Sequence, residues 1–416
     1  MKAEIISIGT ELLLGQLINT NAAYLAEKLA QLGIDVYYQS TVGDNPKRLS
    51  FLLKQAFRRS EIIITTGGLG PTVDDITVAT IAKTFKCKLI FNEEILSRIE
   101  AHFKKRGLKT PPSNKRQAYV PENSHILENS IGTAPGFILD KDKKFIVALP
   151  GPPLELKPMF EKKIIPFLKD KTKTKEIIFS KTLKLTGLCE SEIAESIKDL
   201  LESKPPLTVG IYAHPAEIDL KITAKAKNKK EALRKIAKIE KIIKSRLPNY
   251  VFGKDKETLE EVVGKFLAKN KKTLAVAESC TGGLIANRLT NISGSSQYFV
   301  LGIVAYSNQE KIKLLKVPEK ILEKYGAVSK EVAEIMAKNV RKIAKVDIGL
   351  GVTGIAGPKG GSYQKPVGLV YIALSTEDKT MVQEFRFIGD RLDIKLKTSQ
   401  AALEMVRKRL LNTKTK

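Results

Sequence analysis

The chain has no tryptophan, three cysteines and three histidines among 416 residues, and aromatic residues make up only 6% of it. Cys87, Cys189 and Cys280 lie far apart and form no CxxC pair, which excludes a disulfide framework and a zinc knuckle. No histidine follows His214, so proton transfer in the C-terminal part would fall to another kind of side chain. No apolar run approaches the roughly 18 residues that cross a bilayer. Met1-Lys2-Ala3-Glu4 leads directly into strand-like Ile5-Ile6-Ser7-Ile8 and not into a signal peptide. A cytoplasmic protein in a reducing compartment, without a membrane partner, is expected.

What is present is ordinary globular material, 43% hydrophobic and 28% charged, with length for two or three domains at roughly 150 residues each. Basic residues number 71 against 45 acidic, a net charge of +26. The excess is spread out: 24 basic against 18 acidic residues over 1–170, 19 against 11 over 171–255, and 28 against 16 beyond. A lysine-rich composition poor in His and Trp is that of a heat-adapted protein, whereas a clustered excess would suit a nucleic-acid partner. Either way, a positive field favours phosphate-bearing small substrates.

Strand and helix signals alternate through the first third. Strands are predicted at Ala3–Ile8, Asp35–Ser40, Glu61–Thr66 and Phe145–Leu149, and helices at Asn21–Leu32, Arg48–Arg59, Asp74–Phe85 and Glu155–Leu168, which makes βαβ units and a parallel sheet. Lys169–Lys175 has no apolar period and reads as a linker. Beyond it, Ile177–Leu185, Cys189–Leu201, Leu207–Ala213, Glu217–Ala226 and Lys230–Leu247 form a small α+β module of KH-like appearance without a clean GXXG loop. A third, layered α/β unit follows Tyr250–Gly253. The predicted domains are 1–170, 171–253 and 254–416.

The most chemically loaded segment is Glu278-Ser279-Cys280-Thr281-Gly282-Gly283, where a strand runs into hydroxyl and thiol groups and then a helix. Such a turn exposes a nucleophile at a strand end, beside free helix N–H groups that can hold an oxyanion or phosphate. Ser279 or Thr281 could equally cap the helix. Two further strands also end in polar or Gly-rich loops: Gly302–Val304 in Ala305-Tyr306-Ser307-Asn308 with Lys311 beyond, and Gly349–Val352 in Thr353-Gly354-Ile355-Ala356-Gly357-Pro358. Ligands bind at strand C-termini in open α/β sheets.

ESCTGG, AYSNxxK and GVTGIAGP in this order, followed by Gly389-Asp390-Arg391, resemble the nicotinamide-nucleotide amidohydrolase domain of the competence/damage-inducible CinA family over about Leu259 to Leu410. The resemblance implies conversion of nicotinamide mononucleotide (NMN) to nicotinate mononucleotide and ammonia, without a metal. It makes Ser279 the nucleophile, with Cys280 its rival, and gives proton transfer to Tyr306 and Lys311. Backbone N–H groups of Cys280, Thr281, Gly282 and Gly283 would hold the oxyanion, and Asn308, Thr353, Gly354 and Arg391 would bind substrate. A working Lys311 would have its pKa lowered, whereas the plain alternative is an exposed helix lysine or a fixed charge on phosphate.

In the first domain, the loop after Ile8 contains Gly9 and Gly15 but lacks the Lys-Ser/Thr of a P-loop, which excludes an NTPase of that type. Thr65-Thr66-Gly67-Gly68-Leu69-Gly70-Pro71-Thr72-Val73-Asp74-Asp75 offers glycines for close backbone approach to phosphate and two carboxylates for a hard cation. The carboxylates could also be simple helix-start charges. This loop resembles the molybdopterin-binding fold of the MoaB/MogA type. Together with GTELLLGQLINTN, Gly132–Gly136 and Leu149–Pro153, it resembles the CinA amino-terminal domain. That resemblance implies hydrolysis of ADP-ribose to AMP and ribose 5-phosphate with a divalent metal such as Mg2+. Asp75, Asp44 and Glu11 would lie near the metal, and Gly67, Gly68, Gly70 and Thr72 would line the nucleotide. The expectation is a bifunctional, homodimeric enzyme of pyridine-nucleotide recycling. The competing readings are a deamidase with an inactive nucleotide- or pterin-binding first domain, and a DNA-associated competence factor.

Overall fold

Six of the seven side chains of β1 (Lys2–Ile8) are buried. A strand apolar on both faces needs a cover on each side, as in parallel α/β sheets. In the first unit of the computed structural model helices supply that cover, and the other strands are β2 (Asp35–Val42), β3 (Ile62–Thr66), β4 (Leu89–Phe91), β5 (Tyr119–Pro121), β6 (His125–Leu127), β7 (Gly136–Lys141) and β8 (Lys144–Leu149). The main sheet runs β2-β1-β3-β8-β7-β6, while β4 and β5 pair separately. β2, β1, β3 and β8 are parallel, and β7 and β6 add an antiparallel edge. Alternation divides the core by face. Ile5, Ile62, Ile64 and Val147 pack with Leu25, Leu29 and Phe160, while Ile6, Ile63 and Ile146 pack with Leu49, Leu53 and Ile81.

The predicted helices form, with shifts at their ends. Asn19 and Asn45 cap Thr20–Gln31 and Pro46–Arg59 by accepting the Ala22 and Arg48 N–H groups. The helix expected from Asp74 starts instead at Thr77, so Asp74 and Asp75 lie in the turn before it. The last helix runs Pro153–Lys171 with a π-turn at Phe160–Ile164. Pro158 and Pro166 bring no N–H to the ladder there. The structure describes residues 1–171 and 176–412, so the expected linker Lys169–Lys175 is helical to Lys171 and otherwise lies outside the described residues.

β9 (Ile177–Leu185), β10 (Leu207–Ala213), β11 (Ile218–Ala226) and β12 (Val251–Lys254) form a sheet of order β10-β11-β9-β12, with the helix Lys229–Arg246 between β11 and β12. Val251–Lys254, read from sequence as a domain junction, is thus a strand. The predicted helix Cys189–Leu201 is two short ones, Glu190–Ser196 and Lys198–Leu201.

The C-terminal sheet orders β14 (Phe299–Val304), β13 (Leu274–Glu278), β15 (Ile348–Gly354), β16 (Leu369–Ser375) and β17 (Thr380–Arg386) as β14-β13-β15-β16-β17. The first three strands are parallel and the last two antiparallel. Leu274, Val276, Leu350 and Val352 face the helices Leu259–Lys269, Leu284–Thr290 and Arg391–Asn412, and Ala275 and Ala277 face Lys330–Ala344. Among the described residues, no helix is long and apolar enough to cross a membrane.

Candidate active sites

Because β13, β14 and β15 are parallel, Ser279, Ala305-Tyr306 and Ile355 leave the sheet at one edge. The Ser279 N–H donates to the Val352 oxygen and the Ala305 N–H to the Glu278 oxygen, which fixes the three strand ends against each other. Gly282 and Gly283 follow at φ 60° and 93°, a left-handed pair that side chains resist and that turns the strand sharply into the helix Leu284–Thr290.

Glu278, which sequence reasoning passed over, organises this turn. Its carboxylate is buried and accepts the N–H groups of Gly283 (3.0 Å), Ile285 (3.2 Å) and Ala286 (2.9 Å). An internal anion thus occupies the positive helix end that a substrate phosphate or oxyanion was expected to use. The Gly282 N–H is likewise taken, by the Ser279 carbonyl at 3.1 Å. Gly282 and Gly283 are therefore corrected from oxyanion donors to shape-giving residues. Among the described residues, the amides of Cys280 and Thr281 have no oxygen acceptor and face the Cys280 sulfur.

The Ser279 side chain is buried at 8% exposure, and its hydroxyl makes no hydrogen bond among the described residues. Burial pushes the neighbouring Cys280 thiol up to about 12, against the smaller opposing pull of nearby amides and Lys311. A thiol held protonated is a poor nucleophile, which favours Ser279 over its rival.

Lys311 is 2% exposed on the helix Asn308–Leu315 and is no surface lysine. Its Nζ donates to the carbonyls of Ala305 (3.0 Å) and Tyr306 (3.3 Å), at the end of β14, and forms no ion pair among the described residues. Burial lowers its pKa, with the neighbouring Cys280 sulfur acting in the opposite sense. Tyr306 is exposed and turns its hydroxyl to Arg391, whose Nη2 donates at 2.7 Å while Nη1 donates to the Gly357 oxygen at 2.7 Å. Asn308 is exposed at the start of the helix capped by Ser307.

Thr353 and Gly354 do not reach outward as expected. Thr353 is buried and donates to the Ala327 oxygen at 2.8 Å, and Gly354 packs against Leu369 and Val370 where a Cβ would collide. Lys395 is an addition. It lies one turn after Arg391 on the helix Arg391–Asn412, and a Cβ on Gly282 would be 3.6 Å from its Nζ. It is half-buried and has no hydrogen bond or ion pair among the described residues. The i, i+4 spacing of Arg391 and Lys395 on a helix that opens with Gly-Asp-Arg was the available signal.

In the first unit, the ends of β1, β3 and β8 converge by the same logic on a 490 Å3 cavity lined by Glu11, Asp44, Gly67, Gly68, Gly70 and Asp75, among others. Gly67 and Gly68 take φ 104° and 67°, and a Cβ on Gly67 would strike the Ile8 carbonyl. Asp75 Oδ2 accepts from the Thr72 N–H (2.8 Å) and hydroxyl (2.5 Å), and Asp44 Oδ2 from the Thr10 N–H (3.0 Å) and hydroxyl (2.7 Å). These carboxylates tie loops down, with a second oxygen each remaining. Among the described residues no three of His, Cys, Asp and Glu converge to hold a metal. Glu11, Asp44 and Asp75 share the lining of this cavity and do not converge as a three-ligand group.

Three family comparisons cover nearly the whole chain: a probable molybdopterin binding domain over residues 4–170, the damage-inducible protein CinA KH domain over 180–253, and the CinA C-terminal domain over 256–410. A putative competence-damage inducible protein of Caldicellulosiruptor bescii is 51% identical over 99% of this chain and 100% of its own length. The chain belongs to the CinA family. A CinA-like protein of Dictyoglomus turgidum is 48% identical over 99% of this chain and all of its own. The crystal structure of CinA from Thermoplasma acidophilum, 33% identical, covers 40% of this chain and 98% of that chain at a TM-score of 0.37. In this CinA chain the middle module is therefore the KH-like domain of the family, between a molybdopterin-binding-like parallel-sheet domain and the C-terminal α/β domain.

Proposed function

We propose that the C-terminal domain hydrolyses the carboxamide of NMN, and that the first domain hydrolyses ADP-ribose. The observation that carries the first reading is Lys311, a buried amine with a lowered pKa, at the strand edge that bears Ser279. In a domain without histidine it is the available base. Ser279 Oγ attacks the carboxamide carbon and its proton passes to the neutral Lys311 amine. The oxyanion takes the Cys280 and Thr281 N–H groups. The C–N bond breaks as Lys311 returns the proton to the leaving nitrogen, so ammonia departs and a seryl ester remains. Water then attacks that ester, again with Lys311 as base, and releases nicotinate mononucleotide. Tyr306 and Arg391 form the outer wall, and Arg391 with Lys395 meets the phosphate.

The first domain's reading is supported by the glycine loop and the acidic cavity. A divalent cation would be held between the carboxylates of this cavity and the pyrophosphate of the substrate, since Mg2+ is commonly held by one or two carboxylates plus phosphates. Both substrates are products of dinucleotide breakdown. The test is to incubate the purified full chain separately with NMN and with ADP-ribose plus Mg2+, and to identify the products. Ammonia with nicotinate mononucleotide, and AMP with ribose 5-phosphate, are expected. Unchanged NMN or unchanged ADP-ribose overturns the corresponding half.

A further inference from the structure

The strands that deliver the Ser279 turn begin at the opposite edge of their sheet, β13 at Leu274 and β15 at Ile348. There a cavity of 670 Å3 is bordered by the last turn of the helix Lys330–Ala344 and by the turn between β16 and β17. Its lining carries five basic side chains and three acidic ones. Two of the acids are already engaged: Asp347 accepts from Lys272 Nζ at 2.7 Å, and Asp378 from Arg409 Nη2 at 3.3 Å. Arg341, Lys342 and Lys345 have no side-chain hydrogen bond or ion pair among the described residues, and Glu377 is the one remaining carboxylate of the lining. The cavity thus holds a surplus of two positive charges.

Cations near a helix C-terminus commonly serve its negative end. Exposed lysines such as Lys342 and Lys345 meet that need. Arg341 differs. Gly349 has no side chain, and a Cβ there would stand 2.2 Å from the Ala337 oxygen and 2.6 Å from Arg341 Cβ, so the last turn of the helix lies directly on β15. The Arg341 stem is half-buried there, and its Nε is buried without an acceptor. A buried donor left unpaired is costly, and an anionic oxygen in the cavity would supply the missing partner.

We propose that this cavity, at the sheet edge away from Ser279, binds a phosphorylated sugar, with the phosphate on Arg341, Lys342 and Lys345. A phosphate monoester is close to a dianion at neutral pH, which matches the surplus, and a guanidinium pairs with it through two N–H groups. The volume is that of a small-molecule pocket and exceeds what a lone phosphate would fill. No aromatic ring lines it to stack a base, whereas Asn270, Thr376 and Glu377 offer oxygens to hydroxyl groups.

The test uses glucose 6-phosphate as the probe on the full chain, with binding read by calorimetry and the site read by the rate at which an acetylating reagent modifies Lys342 and Lys345. Glucose 6-phosphate is expected to bind and to slow acetylation of both lysines, while glucose and the monoanionic glucose 6-sulfate bind at least about tenfold more weakly. Arg341→Gln should weaken glucose 6-phosphate by a similar factor at an unchanged melting temperature. Lys342→Gln, at an exposed position, gives a second reading should Arg341→Gln fail to fold. Absence of binding, binding that leaves both lysines unprotected, equal affinity for the sulfate ester, or unaltered affinity in the folded variants overturns the site. Stronger protection of the same lysines by AMP than by glucose 6-phosphate overturns the sugar as its ligand.

Discussion

Glu278 accepts the Gly283 N–H at 3.0 Å across five residues of chain, and so closes the turn that presents Ser279 and Cys280. The same carboxylate takes two further helix amides, so charge and acceptor number both matter. Glu278→Gln offers one acceptor and sets an NH2 group against the remaining N–H. We expect hydrogen exchange of the Gly283, Ile285 and Ala286 amides to rise by roughly 10–100-fold, as fits the loss of about 1.5–3 kcal/mol per charge-assisted bond. Unchanged protection would mean that the turn holds without the charge.

Lys311 links burial to pH dependence. Its lowered pKa means that the neutral, proton-accepting form persists below the ordinary lysine value of roughly 10.4. Activity should therefore be present above the lowered pKa and be lost as pH falls through it. Lys311→Arg stays charged throughout and should lose about 10²–10⁴-fold in kcat for NMN. Near-normal turnover in that variant would leave Tyr306 or water as the base.

Arg391 and Lys395 stand one helical turn apart, with Lys395 over the Gly282 turn. If they meet the phosphate, Lys395→Met should raise the KM for NMN by about tenfold or more, in line with a charged hydrogen bond, and leave nicotinamide riboside unaffected. Equal losses on both substrates would assign Lys395 to the fold.

Apolar periodicity made the sheets legible, because strands such as Ile62–Thr66 are buried throughout and their β-branched runs have no helical spacing. Motif order brought the strand-end loops into view, and Ser279, Tyr306 and Lys311 were named from it. Hydrogen-bond direction was not legible. The inward turn of Thr353 to Ala327, the capping by Glu278, and the local ties of Asp44 and Asp75 depend on which neighbour wins a polar atom in three dimensions. The i, i+4 spacing of Lys395 from Arg391 is legible in the sequence, but its place over the Gly282 turn depends on packing in three dimensions.

The most direct measurement is ammonia release from NMN by Ser279→Ala and Cys280→Ala in the full chain, with ADP-ribose cleavage followed in parallel. On the proposed reading Ser279 is the nucleophile and the Cys280 thiol, pushed up to about 12, is not, so Ser279→Ala should lose deamidation and retain ADP-ribose cleavage. Cys280→Ala should keep deamidation within a few-fold of the parent. Deamidation retained in Ser279→Ala and lost in Cys280→Ala would contradict the account.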